Sequence, residues 1–358
     1  MSSLWARIWG TDVVGGFGAK GMRASAGMVI GLLLGLLVFG VQDVLGAGEG
    51  PPAEQPLKRV SFIPQWQPQA QFAGYYVALE KGFYKSHGLD MTILQGGPDR
   101  PSAEWLRTGA AQFATLFLST ALLERSKGAR VVNLGQIVQI SSQLLIAKRS
   151  SGIQSLKDME GRKVGLWGAE LSILPSALFR NLGVHPTVIP QSSTVNLFLR
   201  GGVDVVSAMW YNEYHTLVSA GVDPEELVVF RLSDRLSFPE DGLYCLESTY
   251  RSDPDLCCRF VRASLEGWRY AFDHEEEALD IVMKLVDGAQ IATNRVHQKW
   301  MLRCMRELVK PTRAGGVLGG LAEADYQAVV SQLQASGLTH EAIPINEFRV
   351  DCVGAHER

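Results

Sequence analysis

Short apolar runs and stretches with helical apolar spacing alternate along this chain, and the alternation starts twice. The first series reads as strand (Arg59 to Ile63), helix (Phe72 to Tyr84), strand (Met91 to Leu94), helix (Ser102 to Thr108), strand (Gln112 to Leu116) and helix (Ser119 to Lys127). The second reads as strand (Lys163 to Trp167), helix (Leu171 to Leu182), strand (Thr187 to Ile189), helix (Ser193 to Arg200) and strand (Val203 to Met209). Alternation of this kind builds βαβ units around a mainly parallel sheet, and two series in tandem give two α/β lobes. The first crossing between lobes is expected near Ala147 to Ser151. The last third is helical: Pro254 to Asp273, Glu275 to Val286, Thr293 to Lys310 and Leu321 to Ala335. Asp253 before Pro254 supplies an N-cap with proline in the first turn.

The first fifty residues stand apart. An apolar run from Met28 to Val41 follows Arg7, Lys20 and Arg23 and leads to Gly46, Ala47 and Gly48. Those are the parts of a secretory signal. The run stops at Gln42 and Asp43, short of the roughly 20 residues that cross a bilayer. Residues 1–47 are therefore expected to be a signal peptide cut after Ala47, with a retained membrane anchor as the alternative. Either puts the bulk of the chain in the periplasm or otherwise outside the cytoplasm. Residues 48–57 read as a linker. Gly16 to Gly21 fits G-x-G-x-x-G, but the pattern lies in the leader without the strand it requires, and it is set aside.

At 358 residues and 46% hydrophobic content there is enough chain for real cores, and a net charge of −3 argues against a nucleic-acid partner. Cys245, Cys257, Cys258, Cys304 and Cys352 show no C-x-x-C spacing, so neither a metal site nor a cofactor is expected. The odd number leaves at least one thiol free in a monomer. One or two disulfides or a set of buried thiols are both open.

Ligands of open α/β sheets bind beyond the carboxyl ends of strands, and three segments there carry polar and aromatic groups. Pro64 to Tyr76 holds four glutamines with Trp66 and Tyr75, able to stack on a ring and hydrogen-bond its edge. The alternative is a polar loop whose helix packs its aromatics inward. Trp210-Tyr211-Asn212-Glu213 follows an apolar strand; Asn212 and Glu213 offer donors and acceptors, and Asn212 could equally cap a helix. Phe238 to Tyr244 holds Glu240 and Asp241, a carboxylate pair or simply a turn at Asp241-Gly242. Ser119 and the residues after Trp167 begin helices whose free N–H groups could hold anions or carbonyls.

The run Phe72-Ala73-Gly74-Tyr75-Tyr76-Val77-Ala78-Leu79-Glu80-Lys81-Gly82-Phe83-Tyr84 resembles the opening of the thiamine-pyrimidine-precursor family of substrate-binding proteins. Gly88 to Ile93, Tyr211 to Tyr214, Glu240 to Tyr244, Gly267-Trp268 and Glu276 to Val282 continue the likeness, which runs from about Val60 to Phe348. It implies a two-lobed periplasmic-binding-type fold (type II). Residues 58–147 and 236–350 would form a discontinuous first lobe, and 148–235 the second. It also implies hinge closure on a small flat nitrogen heterocycle, such as a thiamine pyrimidine precursor, and delivery to an ABC permease. Relatives carry riboflavin, sulfonates or nitrate. The residues carried over are Asn212 and Glu213 on the ligand edge, Tyr75 and Trp210 as aromatic walls, and Asp241 on the hinge side. With Trp66, Gln71, Ser119, Trp167 and Tyr211 they make the expected ligand-binding set. Where pyrimidine-handling members carry an Asn-His pair in the first loop, this chain has Gln71-Phe72. Some relatives synthesise the pyrimidine with a histidine and a cysteine-rich segment, neither evident here. With G-x-S-x-G and H-E-x-x-H also missing, no catalysis is expected. A receptor kinase in place of the permease is the remaining alternative partner.

Overall fold

The structure, a computed structural model, describes residues 56–311, 316–340 and 343–353. The leader and nearly all of the linker lie outside the described residues. The strands are β1 (Lys58–Ile63), β2 (Leu89–Ile93), β3 (Phe113–Phe117), β4 (Val131–Gln136), β5 (Gln143–Lys148), β6 (Lys163–Leu166), β7 (Thr187–Pro190), β8 (Val205–Met209), β9 (Leu227–Arg231) and β10 (Asp241–Leu246). They form two five-stranded sheets, ordered β2-β1-β3-β10-β4 and β7-β6-β8-β5-β9. The longer helices are α1 (Ala73–Glu80), α2 (Leu118–Ser126), α3 (Ile173–Leu182), α4 (Glu213–Ser219), α5 (Pro254–Asp273), α6 (Glu275–Gly288), α7 (Arg295–Val309) and α8 (Glu323–Ala335).

Each sheet is mainly parallel, with one antiparallel strand in the fourth place. β10 runs against β3 and β4, and β5 against β8 and β9. These are the strands that follow the two crossings. The parallel strands run toward the facing ends of the lobes, so a chain arriving from the other lobe must start at that end and run away from it. The first crossing therefore occupies residues 137–142, not the expected Ala147 to Ser151, and β5 belongs wholly to the second lobe. The return crossing lies between β9 and β10. Asp241-Gly242 is the start of a central strand, not a turn.

Two helix expectations change as well. Phe72 to Tyr84 breaks at Lys81-Gly82, where Gly82 takes φ 76°, a left-handed conformation that glycine adopts freely. The helix expected over Ser193 to Arg200 contracts to Asn196–Leu199.

In the first lobe α5 is the central support. The Asp253 carboxylate accepts from the Leu256 N–H at 2.9 Å, with Pro254 in the first turn. Its apolar face, from Leu256 through Phe260, Ser264 and Trp268, is buried against the sheet and α1. The Phe260 ring stacks on Phe113 at 4.1 Å between centroids. α1 crosses α5 where both carry glycine. A Cβ on Gly267 would stand 2.0 Å from the Gly74 carbonyl oxygen, and one on Gly74 2.3 Å from the Trp268 ring.

A second buried cluster joins the lobes. It contains Ile63, Leu116 and Tyr244 of the first sheet, Leu145 and Val164 of the second, and Tyr326, Val329 and Leu333 of α8. Arg180 on α3 donates to Gln332 on α8 and to Ser336 at its C-cap. The C-terminal helix thus spans both lobes. Cys258 on α5 is bonded to Cys352, and the adjoining Val350 N–H bonds the Asn133 carbonyl at the edge strand β4. Cys245, Cys257 and Cys304 are buried thiols. Among the described residues no helix is long and apolar enough to cross a membrane.

Candidate functional site

The topology delivers two sets of residues to the facing ends of the lobes: those after the parallel strands and those at the start of the two antiparallel ones. From the first lobe come Gln65 and Trp66 after β1, Ser119 after β3, and Asp241 opening β10. From the second come Trp167 after β6, Trp210 to Glu213 after β8, and Gln143 opening β5. Gln143 and Asp241 hold equivalent places in their sheets, opposite Met209 and Phe117 respectively.

Three carboxylates sit in this wall. Glu213, Glu240 and Asp241 are 7%, 4% and 6% exposed, and among the described residues no cationic side chain forms an ion pair with any of them. Uncompensated burial disfavours their ionised forms. It pushes Glu213 and Glu240 up to about 7. Asp241 rises to about 8, through burial first and then the neighbouring Glu240. Hydrogen bonds hold each in place. Gln65 Nε2 donates to Asp241 Oδ1 at 2.5 Å. Ser141 Oγ, Ser142 Oγ and the Ser142 N–H donate to Glu240 at 2.8–2.9 Å. The Met209 N–H and Asn212 Nδ2 donate to Glu213 at 2.9 and 2.8 Å. Tyr211 lies buried among the three, its ionisation held up by burial and then by Glu240, Asp241 and Glu213.

Beside Glu240 a cavity of about 10 Å³ lies between the lobes, lined by Phe117, Ser119, Gln143, Leu171 and Phe238 among others. That is space for about one water, far below the 300 Å³ or more of a small-molecule pocket. As it stands this cavity is too small for a small-molecule ligand, which would need the lobes to part. Gln143 Nε2 donates to the Leu171 carbonyl, while its amide oxygen is buried without a hydrogen-bond partner among the described residues. A buried amide oxygen left in that state is costly, and a ligand N–H at this place would satisfy it.

Of the expected residues, Trp66, Ser119, Trp167, Trp210, Tyr211, Asn212, Glu213 and Asp241 meet at the facing lobe ends. Trp66, Trp167 and Trp210 are half-buried against the first-lobe core. The Trp167 indole N–H bonds the Ser192 carbonyl at 3.0 Å, and the Arg231 guanidinium lies 4.3 Å from the Trp210 ring centroid. Two expected residues are elsewhere. Tyr75 is 1% exposed in the first-lobe core, edge-on to Phe62 and Trp268 and near Phe72, because its helix turns that face inward. Gln71 accepts from Gln69, and its backbone N–H meets the Met301 sulfur, which places it beneath α7. Asn212 stands at the start of α4 without capping it through its side chain; the amide is spent on Glu213 and on His297 of α7.

Sequence reasoning passed over Ser141, Ser142 and Gln143 because β5 was not recognised as a strand. Its apolar run Leu144 to Ala147 was the available signal. His297 and Trp300 carried no signal, lying three apart on an ordinary amphipathic helix.

The family profile described as NMT1/THI5 like matches residues 69–278, more than half of the chain. The chain belongs to the NMT1/THI5-like family. Its β10 hinge strand and the segment after β8 both lie inside the matched region. The chain is 27% identical over 257 residues to the riboflavin-binding protein RibY of Chloroflexus aurantiacus, covering 68% of this chain and 71% of that one. It is 24% identical over 316 residues to a formylaminopyrimidine-binding protein of Halalkalibacterium halodurans, covering 86% and 93%. It is also 25% identical over 236 residues to a 4-amino-5-hydroxymethyl-2-methylpyrimidine phosphate synthase of Legionella pneumophila, covering 63% and 72%. Among solved structures, a putative sulfonate ABC transporter's periplasmic sulfonate-binding protein, SsuA, from Methylobacillus flagellatus superposes with a TM-score of 0.63 at 14% identity, covering 83% and 92%. The two-lobed α/β fold of this family member is thus the fold of periplasmic binding proteins.

Proposed function

We propose that this chain is an extracytoplasmic solute-binding protein that closes on a flat, nitrogen-rich heterocycle and presents it to an ABC permease. The observation that carries the reading is the acceptor-rich wall between the lobes. Glu213, Glu240, Asp241 and the Gln143 oxygen converge there, none of the carboxylates ion-paired among the described residues, while Trp66, Trp167 and Trp210, the last under Arg231, stand at its margin. Such a wall calls for a ligand that brings N–H donors on a planar ring. An aminopyrimidine fits, and the names of two binding-protein relatives point to pyrimidine and flavin ligands. The three carboxylates repel a sulfonate or nitrate when ionised and offer it no positive charge when neutral, and we set anions aside.

Binding without turnover is the second part of the proposal. The site offers carboxylates and amides that hydrogen-bond a ring edge, and nothing in it is placed as an activated nucleophile. Closure about the hinge would supply the signal read by the permease. The family also contains synthases, so turnover has its own test. Incubation of the chain with each bound heterocycle, followed by mass spectrometry, should return the ligand unchanged; a new mass would make the protein an enzyme.

The test of the ligand class is titration calorimetry with 4-aminopyrimidines, riboflavin and an alkanesulfonate. Hydrogen bonds to a charged group contribute about 1.5–3 kcal/mol. Glu213→Gln should therefore weaken binding of an aminopyrimidine by about tenfold or more. Equal affinity of the variant would remove Glu213 from the site, and binding of the sulfonate alone would overturn the heterocycle reading.

A further inference from the structure

On the side of the cleft away from α8, one helix of each lobe meets the other. α7 presents His297 and Trp300 to the segment 210–215, which leads into α4. Trp300 Nε1 donates to the Trp210 carbonyl at 3.0 Å, and its ring stacks on Tyr214 at 5.8 Å and His215 at 5.3 Å between centroids. His297 Nε2 lies 2.8 Å from Asn212 Oδ1, and His297 Nδ1 lies 3.1 Å from His215 Nδ1.

The chemistry of these groups orders the protons. The Asn212 amide nitrogen must face Glu213, because a carboxylate accepts, so its oxygen faces His297. His297 then donates from Nε2. A neutral imidazole that donates from Nε2 accepts at Nδ1, so His215 donates from its own Nδ1. The bonds run in one direction from His215 through His297 and Asn212 to Glu213, and His297 is the member supplied by the first lobe.

We propose that His297 is a positioning residue that latches the closed lobes and, through Asn212, holds Glu213 in its ligand-facing orientation. The inference rests on the reading of Glu213 as a ligand contact. Opening the lobes withdraws His297, and the Asn212 amide loses the bond that fixes it. Closure and alignment of the acceptor are then one event.

The latch is sensitive to acid. Burial makes a charge on His297 costly in this contact, and once both rings are protonated two N–H groups stand against each other across it. His215 acts on His297 directly, and Glu213, pushed up to about 7, is joined to it through Asn212 and titrates alike in wild type and His297 variants. On its own helix, Arg295 is bound to Glu276 and Asp280, Lys299 to Glu275 and Glu276, and Arg303 to Glu275, all on α6. α5 meets α7 where Phe272 lies under Arg306, and the segment 69–72 beneath α7 is uncharged. Burial lowers His215 and takes His297 down to about 4. The latch is therefore intact above the ordinary histidine value near 6.5 and is lost as pH falls from there toward 4.

Small-angle X-ray scattering and binding of 4-aminopyrimidine, both on the full chain at pH 7.5 and 5.5, test this with His297→Leu and His297→Gln. Glutamine keeps a donor for Asn212 but does not titrate. Leucine should enlarge the radius of gyration at pH 7.5 and weaken probe binding about tenfold. Glutamine should restore both, and the wild type's opening at pH 5.5 should be absent in it. A His297→Leu chain with wild-type scattering at both pH values overturns the latch, whether or not the probe binds. Scattering as expected with unchanged probe affinity overturns the positioning of Glu213. A wild type that binds no aminopyrimidine while its scattering follows the expected pattern removes the ligand reading and supports the latch.

Discussion

Glu240 and Asp241 are adjacent in sequence and buried at the start of one strand, an arrangement that destabilises the protein for as long as both are charged. The three wall carboxylates titrate at about 7 to 8 when folded and near 4 when unfolded. Their contribution to stability is fully present below pH 4 and is lost as pH rises through 7 to 8. The histidine contribution of the latch has the opposite sign but is confined below about 6.5. Between pH 6.5 and 8 the carboxylates decide, and the urea midpoint of the ligand-free protein should fall across that window. The slope is bounded by about 1.4 kcal/mol per pH unit for each titrating group. Asp241→Asn should flatten it and raise the midpoint at pH 8. A midpoint that climbs with pH over the same window would show that these groups are ionised at little cost. At this scale the sequence was informative where a residue's neighbours along the chain decide its setting, as at Trp210 to Glu213. It was silent about Gln143 and His297, whose roles come from residues far away in sequence.

At the scale of elements, glycine placement explains why α1 and α5 pack so closely. The pair Gly74 and Gly267 leaves room for backbone against backbone, with Trp268 filling the space beside Gly74. Gly267→Ala must push the helices apart, and overpacking of this kind typically costs about 1–3 kcal/mol. Thermal denaturation should show the variant melting several degrees lower; an unchanged melting point would mean that the crossing yields without strain. The alternation of strands and helices was legible because βα units bury apolar runs at regular intervals. β4, β5, β9 and β10 escaped notice because the segments around the two crossings break that rhythm. The periodicity also located α1 correctly but could not say which aromatics on it face the cleft. Tyr75 therefore reads equally well as a ligand wall and as what it is, a core residue.

For the whole molecule, the Cys258–Cys352 disulfide closes a separation of 94 residues around the C-terminal helices, including α8, which spans both lobes. Long loops cross-linked in this way gain about 2–4 kcal/mol. Reduction, or Cys352→Ser, should lower the melting temperature and expose the chain end to proteases. Equal stability with and without reductant would show that the terminal segment is held by its contacts with β4 alone. The sequence by itself determined the α/β class, the two lobes and the strand ends proposed to carry the site, because hydrophobic period and turn residues act locally. Only the tertiary structure decided the exact crossing, which two of the five cysteines pair, and the company that His297 and Gln143 keep. Each of these depends on which distant segments the closed fold brings within hydrogen-bonding or covalent reach, and no local pattern encodes that distance.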